Sequence, residues 1–212
     1  MIKVAIADDH PLIREGINNV LSHEIDIEVT VEASGGNELL KKIRKSLPDI
    51  AILDITMPGK SGFELIKEVI DEFPQLPILV LSIHEAERYA IRALRSGAQG
   101  YLCKSSITEN LVSAVRRIAV QKRTYITPEV AEQLAVNINR NSNETPLYDK
   151  LSDREFQVLC MIAQGKKVQE IADELSLSPH TIQTYRTRIK EKTDLKSNVE
   201  MTHYAIEHNL ID

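Results

Sequence analysis

The sequence lacks any long apolar run, and this absence excludes one class of protein. A membrane-spanning helix needs roughly 20 consecutive apolar residues, and no stretch of the chain approaches that length. The amino terminus passes directly into an apolar stretch that ends in two acids, which is unlike a signal peptide. We therefore expect a cytoplasmic protein without a membrane partner.

Cysteine is also scarce. The chain has two cysteines, Cys103 and Cys160, and they form no Cys-x-x-Cys pair. Both lie within apolar patterns, so we predict that they are reduced core residues, with catalysis or metal binding as the alternative.

A basic segment is missing as well. Lys and Arg number 26 against 31 Asp and Glu, and the formal net charge is −5. Residues 1–121, 122–149 and 150–212 each carry slightly more Asp and Glu than Lys and Arg, so a nucleic-acid surface requires a local concentration of positive charge. The 42% apolar and 27% charged content is typical of a globular protein. A length of 212 residues allows one large or two modest domains.

Strand and helix patterns alternate five times in the first 121 residues. Apolar, β-branched runs separated by helical periodicity occur at Ile2–Ala7, Ile27–Ala33, Ile50–Leu53, Ile78–Leu81 and Gly100–Cys103. The intervening helices are predicted at Leu12–Ser22, Asn37–Ser46, Phe63–Phe73, Ala86–Ser96 and Thr108–Val120. This alternation predicts an α/β fold, a doubly wound five-stranded parallel sheet of flavodoxin-like order 2-1-3-4-5.

The strand pattern stops after residue 121. We predict domains at residues 1–121 and 150–212, joined by a linker over 122–149. Pro128 opens a short helix in this linker, and its Asn-rich part covers about 137–149. The last domain is predicted to be all-helical, with helices at about 153–164, 168–175, 179–192 and 198–208.

Three carboxylates follow neighbouring strands of the predicted sheet. Asp8 and Asp9 follow the first strand, and Asp54 follows the third. In the order 2-1-3-4-5 these strand ends meet at one cleft. Clustered carboxylates repel one another unless a cation compensates, and a hard divalent cation with oxygen ligands fits, Mg²⁺ better than Ca²⁺.

Two further side chains complete the cleft. Ser82 follows the fourth strand and Lys104 follows the fifth. Carboxylate, Mg²⁺, hydroxyl and ammonium around one point are the groups that phosphoryl transfer needs, with Asp54 as the nucleophile. The alternative for each residue alone is a helix cap or a surface charge. Agreement among four strand ends favours the functional interpretation.

The motifs "ADDHP", "LDITMPGKSG", "LS" and "GYLCKS" appear in this order, and residues 1–121 resemble the receiver domain of bacterial two-component response regulators. The resemblance implies that a sensor histidine kinase phosphorylates Asp54, and that Asp8, Asp9, Asp54 and the backbone carbonyl of Thr56 bind Mg²⁺. It further implies that Ser82 and Lys104 contact the phosphoryl group, and that Tyr101 is a switch aromatic. For Tyr101, a half-buried strand aromatic with a solvated hydroxyl is the alternative.

A second motif lies in "GKKVQEIADELSLSPHTIQTYRTRIKEKTDL". Ser178 and Pro179 form an N-cap and first helical position after a short turn, which predicts a helix-turn-helix. Ile182, Tyr185 and Ile189 recur as an inner face. The predicted DNA-contacting residues on and around the outer face are Lys167, His180, Thr181, Gln183, Thr184, Arg186, Thr187, Arg188 and Lys190, with Lys192 as a further flanking cation.

These residue types suit a helix in the major groove. Gln and Thr can hydrogen-bond to base edges, while Arg and Lys can bind phosphates. Residues 178–196 carry 5 Lys and Arg against 2 Asp and Glu. The alternative is an ordinary amphipathic helix, and turn length, cap and local charge favour DNA.

Residues from about 148 to 212 resemble the LuxR-type output domain of NarL/FixJ-type regulators. Tyr185 stands where a histidine is common, and Val168 where an asparagine often begins the scaffold helix. The resemblance implies a phosphorylation-controlled transcription regulator that binds double-stranded promoter DNA and forms a homodimer when phosphorylated. It implies a phosphoacceptor rather than a turnover enzyme.

Two other functions compete with this interpretation. A haloacid-dehalogenase-type phosphohydrolase also uses a strand-end Asp and Mg²⁺, but it needs a second acid where this chain has Thr56. A binding module for RNA or protein is the second alternative. The predicted recognition face lacks the stacking aromatics that single-stranded RNA favours.

Overall fold

The computed structural model describes residues 1–58, 61–83, 87–139, 146–208 and 210–211. The chain divides into two compact units, residues 1–132 and 133–212. Within the described ranges, no helix has both the length and the apolar character needed to cross a membrane.

The first unit contains one parallel sheet of order β2-β1-β3-β4-β5, which confirms the predicted fold class. Its strands are β1 (Ile2–Ala7), β2 (Ile27–Ala33), β3 (Ile50–Asp54), β4 (Ile78–Ser82) and β5 (Gly100–Cys103). Its helices are α1 (Pro11–Ser22), α2 (Gly36–Ile43), α3 (Gly62–Glu72), α4 (Glu87–Arg95) and α5 (Ile107–Ala119), with a 3₁₀ turn at Lys104–Ser106.

Helices cover both faces of this sheet. Helices α1 and α5 contact each other, and α3 contacts both α2 and α4. Ile17 of α1 and Leu111 of α5 pack with strand residues such as Ile6 and Ile52 in one apolar core. Strands β3 and β4 are buried along their whole length. Burial on both faces explains why these strands are continuous apolar runs rather than alternating ones.

Strands β3 and β4 each extend one residue beyond the predicted end. Asp54 pairs with Leu81, and Ser82 pairs with Cys103, so the ladder includes both polar residues. Their backbones are therefore held by the sheet rather than by a loop. This position fixes the direction of the Asp54 and Ser82 side chains.

The chain turns back onto the sheet after α5. Lys122 has a positive φ of 54°, and Tyr125 then forms a parallel bridge with Gly100. Helix α6 (Pro128–Asn139) follows. Of the stretch predicted as linker, residues 140–145 lie outside the described residues.

The second unit is helical, as predicted for the carboxyl-terminal part of the chain. A 3₁₀ turn at Leu147–Lys150 precedes α7 (Asp153–Ala163), α8 (Val168–Glu174), α9 (Pro179–Thr193) and α10 (Asn198–Glu207). Helix α7 contacts α8, α9 and α10. The buried core includes Phe156, Leu159, Ile171, Ile182 and Met201.

An aromatic cluster joins the residues just before α7 to the end of α10. The Tyr148 amide donates a hydrogen bond of 3.3 Å to the Tyr204 hydroxyl. The Tyr204 and His208 rings lie 4.2 Å apart, and the Tyr148 ring lies 6.2 Å from that of Phe156. Tyr148, just before α7, is thus part of the core of the second unit.

The two cysteines differ in burial. Both are free thiols, and Cys160 is buried in α7 as predicted. Cys103 is only partly buried, which corrects the prediction of a core residue. It is the last residue of β5, where the strand leaves the covered part of the sheet.

Candidate functional site

The acidic side chains predicted to converge do so. Asp8 follows β1 and Asp54 ends β3, and these strands are neighbours in the sheet. Asp8 and Asp54 are each 1% exposed. Ligand atoms of Asp8, Asp9, His10 and Asp54 all lie within 4.8 Å of one another. The sheet order therefore creates a compact acidic cleft from residues distant in sequence.

Lys104 supplies a cation to this cleft. Its Nζ lies 2.6 Å from Asp8 Oδ2 and 2.7 Å from Asp54 Oδ2, and its side chain is 7% exposed. Burial lowers the pKa of Lys104, but the Asp54 and Asp8 carboxylates outweigh burial and leave the pKa raised. The ammonium thus remains charged and joins the ends of β1 and β3.

The turn after β3 holds the Asp54 carboxylate from the other side. The Thr56 amide donates to Asp54 Oδ1 at 2.9 Å, and the Thr56 hydroxyl donates to the same oxygen at 2.7 Å. Sequence reasoning considered only the Thr56 carbonyl and missed this hydroxyl. A short hydroxyl residue two positions after an Asp is a turn signal that could have indicated it.

Gly62 makes room for this turn. A Cβ at Gly62 would lie 2.3 Å from the Cα of Ile55, a distance that real side chains do not adopt. The first turn of α3 therefore packs directly on the backbone that follows Asp54.

Two further residues at the cleft were missed. The His10 amide donates to Asp8 Oδ1 at 2.8 Å, and its ring Nδ1 lies 3.0 Å from Asp9 Oδ1. Arg14 Nη1 donates to the Asp8 carbonyl at 2.6 Å. Both residues lie at the start of α1, so they fix the loop that carries Asp8 and Asp9. An arginine one turn into the helix gave no specific sequence signal.

Ser82 and Tyr101 lie together on β4 and β5. Ser82 is fully buried and Tyr101 is 5% exposed. Burial raises the pKa of Tyr101, while a hydrogen bond with the Ser82 side chain opposes this rise. The Tyr101 hydroxyl therefore faces Ser82 inside the protein, unlike the solvated hydroxyl of the alternative interpretation.

The acidic cleft has the chemistry of a divalent-cation site. Asp8 Oδ2 and Asp9 Oδ1 are buried carboxylate oxygens, with Lys104 Nζ 2.6 Å from the first and His10 Nδ1 3.0 Å from the second. Such oxygens suit a hard cation such as Mg²⁺, which takes a few carboxylates and retains waters. Asp8, Asp9 and Asp54 fit this ion.

The second unit contains the predicted helix-turn-helix. Helix α8 ends at Glu174, and Ser176 takes a left-handed conformation with φ of 53°. The Ser178 hydroxyl then caps α9 by accepting a hydrogen bond of 3.0 Å from the Thr181 amide. The turn and cap set where the second helix begins.

The burial pattern of α9 matches the predicted two faces. Ile182 and Ile189 are buried, and Tyr185 is half-buried beside them. Of the predicted DNA-contacting residues, the exposed ones are Lys167, His180, Gln183, Thr187 and Arg188, and the half-buried ones are Thr181, Thr184, Arg186 and Lys190. The structure thus places nearly all of them along one helix, with Lys167 at the start of α8.

Two threonine hydroxyls on this face are bonded to their own helix. Thr184 donates to the His180 carbonyl at 3.0 Å, and Thr187 donates to the Gln183 carbonyl at 3.1 Å. Each hydroxyl can still accept a hydrogen bond from a base N–H group, whereas donating to a base acceptor would have to replace the bond to the helix. Such an exchange has a small net free energy because one hydrogen bond replaces another.

Lys192, predicted as a flanking cation, also forms an ion pair within its own unit. Its Nζ lies 2.6 Å from Glu155 Oε2. Burial raises the pKa of Glu155, but hydrogen bonds from Lys192 and Ser152 outweigh burial and leave the pKa lowered. Lys192 therefore joins the end of α9 to the start of α7.

Two sequence families match the chain. Residues 4–116 match the response regulator receiver domain, and residues 149–205 match the bacterial regulatory proteins of the luxR family. Together they include both candidate sites.

Similar proteins match along nearly the whole length. The response regulator GacA of Pseudomonas aeruginosa is 37% identical over 100% of this chain and 99% of its own. The response regulator UvrY of Escherichia coli is 36% identical over 99% of this chain and 96% of its own.

Solved structures show the same architecture. The RcsB response regulator of Salmonella typhimurium is 28% identical, covers 98% of both chains and has a TM-score of 0.70. A structure of the RcsB–DNA complex is 28% identical with a TM-score of 0.59, covering 97% of this chain and 98% of its own.

Proposed function

Because the chain belongs to the two-component response regulators with a LuxR-type helix-turn-helix domain, we propose that phosphorylation of Asp54 controls its binding to promoter DNA. The phosphoryl donor is a sensor histidine kinase, and the protein regulates transcription. We place this activity in the cytoplasm, where the DNA is.

The observation that carries the proposal is the arrangement around Asp54. Its carboxylate is buried, bonded to Thr56 and paired with Lys104, while Ser82 lies on the adjacent strand. A carboxylate held from two sides is preorganised for attack on phosphorus. The ammonium and the hydroxyl are placed to stabilise charge on the transferring oxygens.

The transfer moves the phosphoryl group from nitrogen to oxygen. An Asp54 oxygen forms the O–P bond as the N–P bond to the kinase histidine breaks, and the histidine keeps the electron pair. Asp8, Asp9, Asp54 and the Thr56 carbonyl would hold Mg²⁺, which would supply positive charge next to the phosphoryl oxygens.

Thr56 also supports a phosphoacceptor over a phosphohydrolase. It occupies the position where the hydrolase needs a second acid, so the cleft has no general acid there for a leaving alcohol. We therefore propose that the protein has no turnover of phosphate esters. Hydrolysis of nitrophenyl phosphate would contradict this.

Ser82 and Tyr101 give the phosphoryl group a route to the rest of the domain. A new anion on Asp54 attracts Lys104 and the Ser82 hydroxyl, and Ser82 contacts Tyr101. A ligand that contacts one conformation more strongly shifts the equilibrium towards it. Tyr101 is the proposed switch residue.

The proposed output is binding of α9 in the major groove. Gln183 and the threonines are placed to contact bases, and Arg186, Arg188 and Lys190 to contact phosphates. The related RcsB has been solved bound to DNA, including two dimers on two parallel DNAs. We propose that phosphorylation makes this protein a dimer that binds paired half-sites.

The test uses the full chain with acetyl phosphate as donor. We expect covalent labelling of the wild type, loss of labelling in Asp54→Asn, and normal labelling in Asp71→Asn, an exposed Asp on α3. A gel shift with promoter DNA should strengthen with the donor for the wild type and not for Asp54→Asn. Labelling that persists in Asp54→Asn would overturn the assignment.

A further inference from the structure

The segment that leaves α5 is hydrogen-bonded to the backbone of the proposed switch residue. The Tyr101 amide donates to the Tyr125 carbonyl at 3.2 Å, and the Tyr125 amide donates to the Gln99 carbonyl at 2.9 Å. Tyr125 thus adds one residue to the open edge of β5. The route towards the second unit begins beside Tyr101.

Gln99 is a rigid attachment point for this segment. Its amide donates to the Ile78 carbonyl at 2.8 Å, and its side chain accepts from the Ile78 amide at 2.7 Å. The side-chain nitrogen also donates to the Gly97 carbonyl at 2.9 Å. The Gln99 carbonyl is therefore fixed to β4, so Tyr125 docks on a surface that is already ordered.

Gly100 leaves the space in which Tyr125 docks. A Cβ at Gly100 would lie 3.1 Å from the Tyr125 carbonyl oxygen and 2.7 Å from Ile118 Cδ1. The Tyr125 ring is partly buried and packs against the core shared by α1 and α5. The backbone hydrogen bonds, the packing of the Tyr125 ring and the absence of a side chain at Gly100 together allow Tyr125 to dock at this edge.

The contact is small enough to respond to a switch. It consists of two backbone hydrogen bonds and one partly buried ring. Local contacts of this size open without unfolding the domain. Local opening of this segment therefore requires breaking only a few contacts, and Tyr101 makes one of them.

We infer that Tyr125 is a positioning residue that couples the phosphorylation state of Asp54 to the segment leading to the DNA-binding unit. The inference rests on the proposed function. The docked segment holds the Tyr101 backbone in the conformation whose side chain is buried against Ser82. Because coupling is reciprocal, phosphorylation that favours the Ser82–Tyr101 contact also favours docking of Tyr125.

The first measurement is amide hydrogen exchange of the full chain, with and without BeF₃⁻ and Mg²⁺. We expect BeF₃⁻ to slow exchange at the Tyr125 amide by about fivefold or more, the lower end of usual coupling. The Ile78 amide, which is bonded to Gln99 within the sheet, is the internal control and should change less.

The second measurement is the ratio of DNA affinities with and without BeF₃⁻. Tyr125→Ala removes the ring and should reduce this ratio by about fivefold, while Asp54 is still labelled by acetyl phosphate. Tyr125→Phe keeps the ring and the backbone bonds and should retain the wild-type ratio. A purely structural role would weaken binding in both states and leave the ratio unchanged.

The outcomes separate this inference from the proposed function. Unchanged exchange at Tyr125, or a wild-type ratio in Tyr125→Ala, overturns the role of Tyr125 alone. A wild type that is neither labelled nor stimulated in DNA binding contradicts the proposed function.

Discussion

The two units place their functional groups in opposite environments. In the first, Asp8, Asp54 and Lys104 are almost fully buried and pair with one another. In the second, Gln183 and Arg188 are exposed along one helix. Buried charges depend on their neighbours, so a change in one affects all of them. Exposed side chains that share no contacts act almost independently.

Because of this difference, stability and function are closely linked in the first unit and largely independent in the second. The contacts that fix the cleft, such as those of Lys104 with Asp8 and Asp54, also join strand ends of the sheet and so support the fold. The recognition face is completed only by its partner. We therefore expect substitutions in the cleft to change folding and function together, and substitutions at exposed positions of α9 such as Gln183 and Arg188 to change binding alone.

The largest effect is expected at Lys104. Lys104→Met leaves the buried Asp8 and Asp54 carboxylates without their cation. It should lower the free energy of unfolding of the metal-free protein by about 3 kcal/mol. Urea unfolding in EDTA measures this. Lys45→Met, at an exposed position, is the control and should change stability by less than about 0.5 kcal/mol. Equal stability of the two variants would contradict the idea that the fold depends on the buried charge more than on the exposed one.

A substitution at Lys192 tests whether the stability of the second unit also depends on a buried charge. Lys192→Met leaves the buried Glu155 without its cation. Because Lys192 is itself 41% exposed, the expected loss of stability at neutral pH is only about 2 kcal/mol. Lys196→Met, whose side chain is 77% exposed, is the control.

The same pair predicts a pH dependence. The folded-state pKa of Glu155 is lowered from 4.5, so its contribution is complete above pH 4.5 and is lost as pH falls through the folded-state value. Urea unfolding between neutral and acid pH should show a shallower decline for Lys192→Met than for the wild type. Parallel declines would contradict a role for this pair.

Gln183 tests base recognition. Gln183→Ala should reduce the free-energy difference between specific and scrambled duplexes by about 1 to 2 kcal/mol, without changing the unfolding midpoint. Competition gel shifts measure this. Gln164→Ala, an exposed glutamine after α7, is the matched control. An unchanged footprint and preference would exclude Gln183 from the base-contacting residues.

Lys190 should give the smallest effect. Lys190→Ala should weaken binding to every duplex similarly and reduce the slope of log affinity against log salt by about 1. Lys150→Ala, outside the helix-turn-helix, should leave the slope unchanged. A sequence-selective loss in Lys190→Ala would contradict a phosphate contact.

The sheet and the position of the cleft were predictable because strand ends of a parallel sheet share one edge. Asp8, Asp54, Ser82 and Lys104 each follow or end an apolar run, and the strand order brings them together. The sequence pattern did not indicate that Lys104 contacts two carboxylates at once, since this depends on side-chain direction at the end of β5.

Other contacts were unpredictable because single residues make them. Tyr125 pairs with β5 through one residue, which leaves no alternating pattern to detect. Lys192 has the same charge as the neighbouring cations that we propose contact phosphates, and the sequence pattern gave no sign of its ion pair with the buried Glu155 on another helix. Periodicity identifies faces of elements, but it does not identify the partner across a tertiary contact.

The aromatic cluster around Tyr148 determines where a fragment containing the DNA-binding helices should begin. A fragment starting at residue 150 would lose Tyr148, which contacts Phe156 and the Tyr204 hydroxyl. Such a truncation would uncover apolar rings and leave a polar group without its partner. Fragments that contain only the helix-turn-helix unit should therefore begin at residue 146. A shorter fragment could bind DNA weakly because it is partly unfolded, and this loss would be mistaken for an effect of removing the receiver domain.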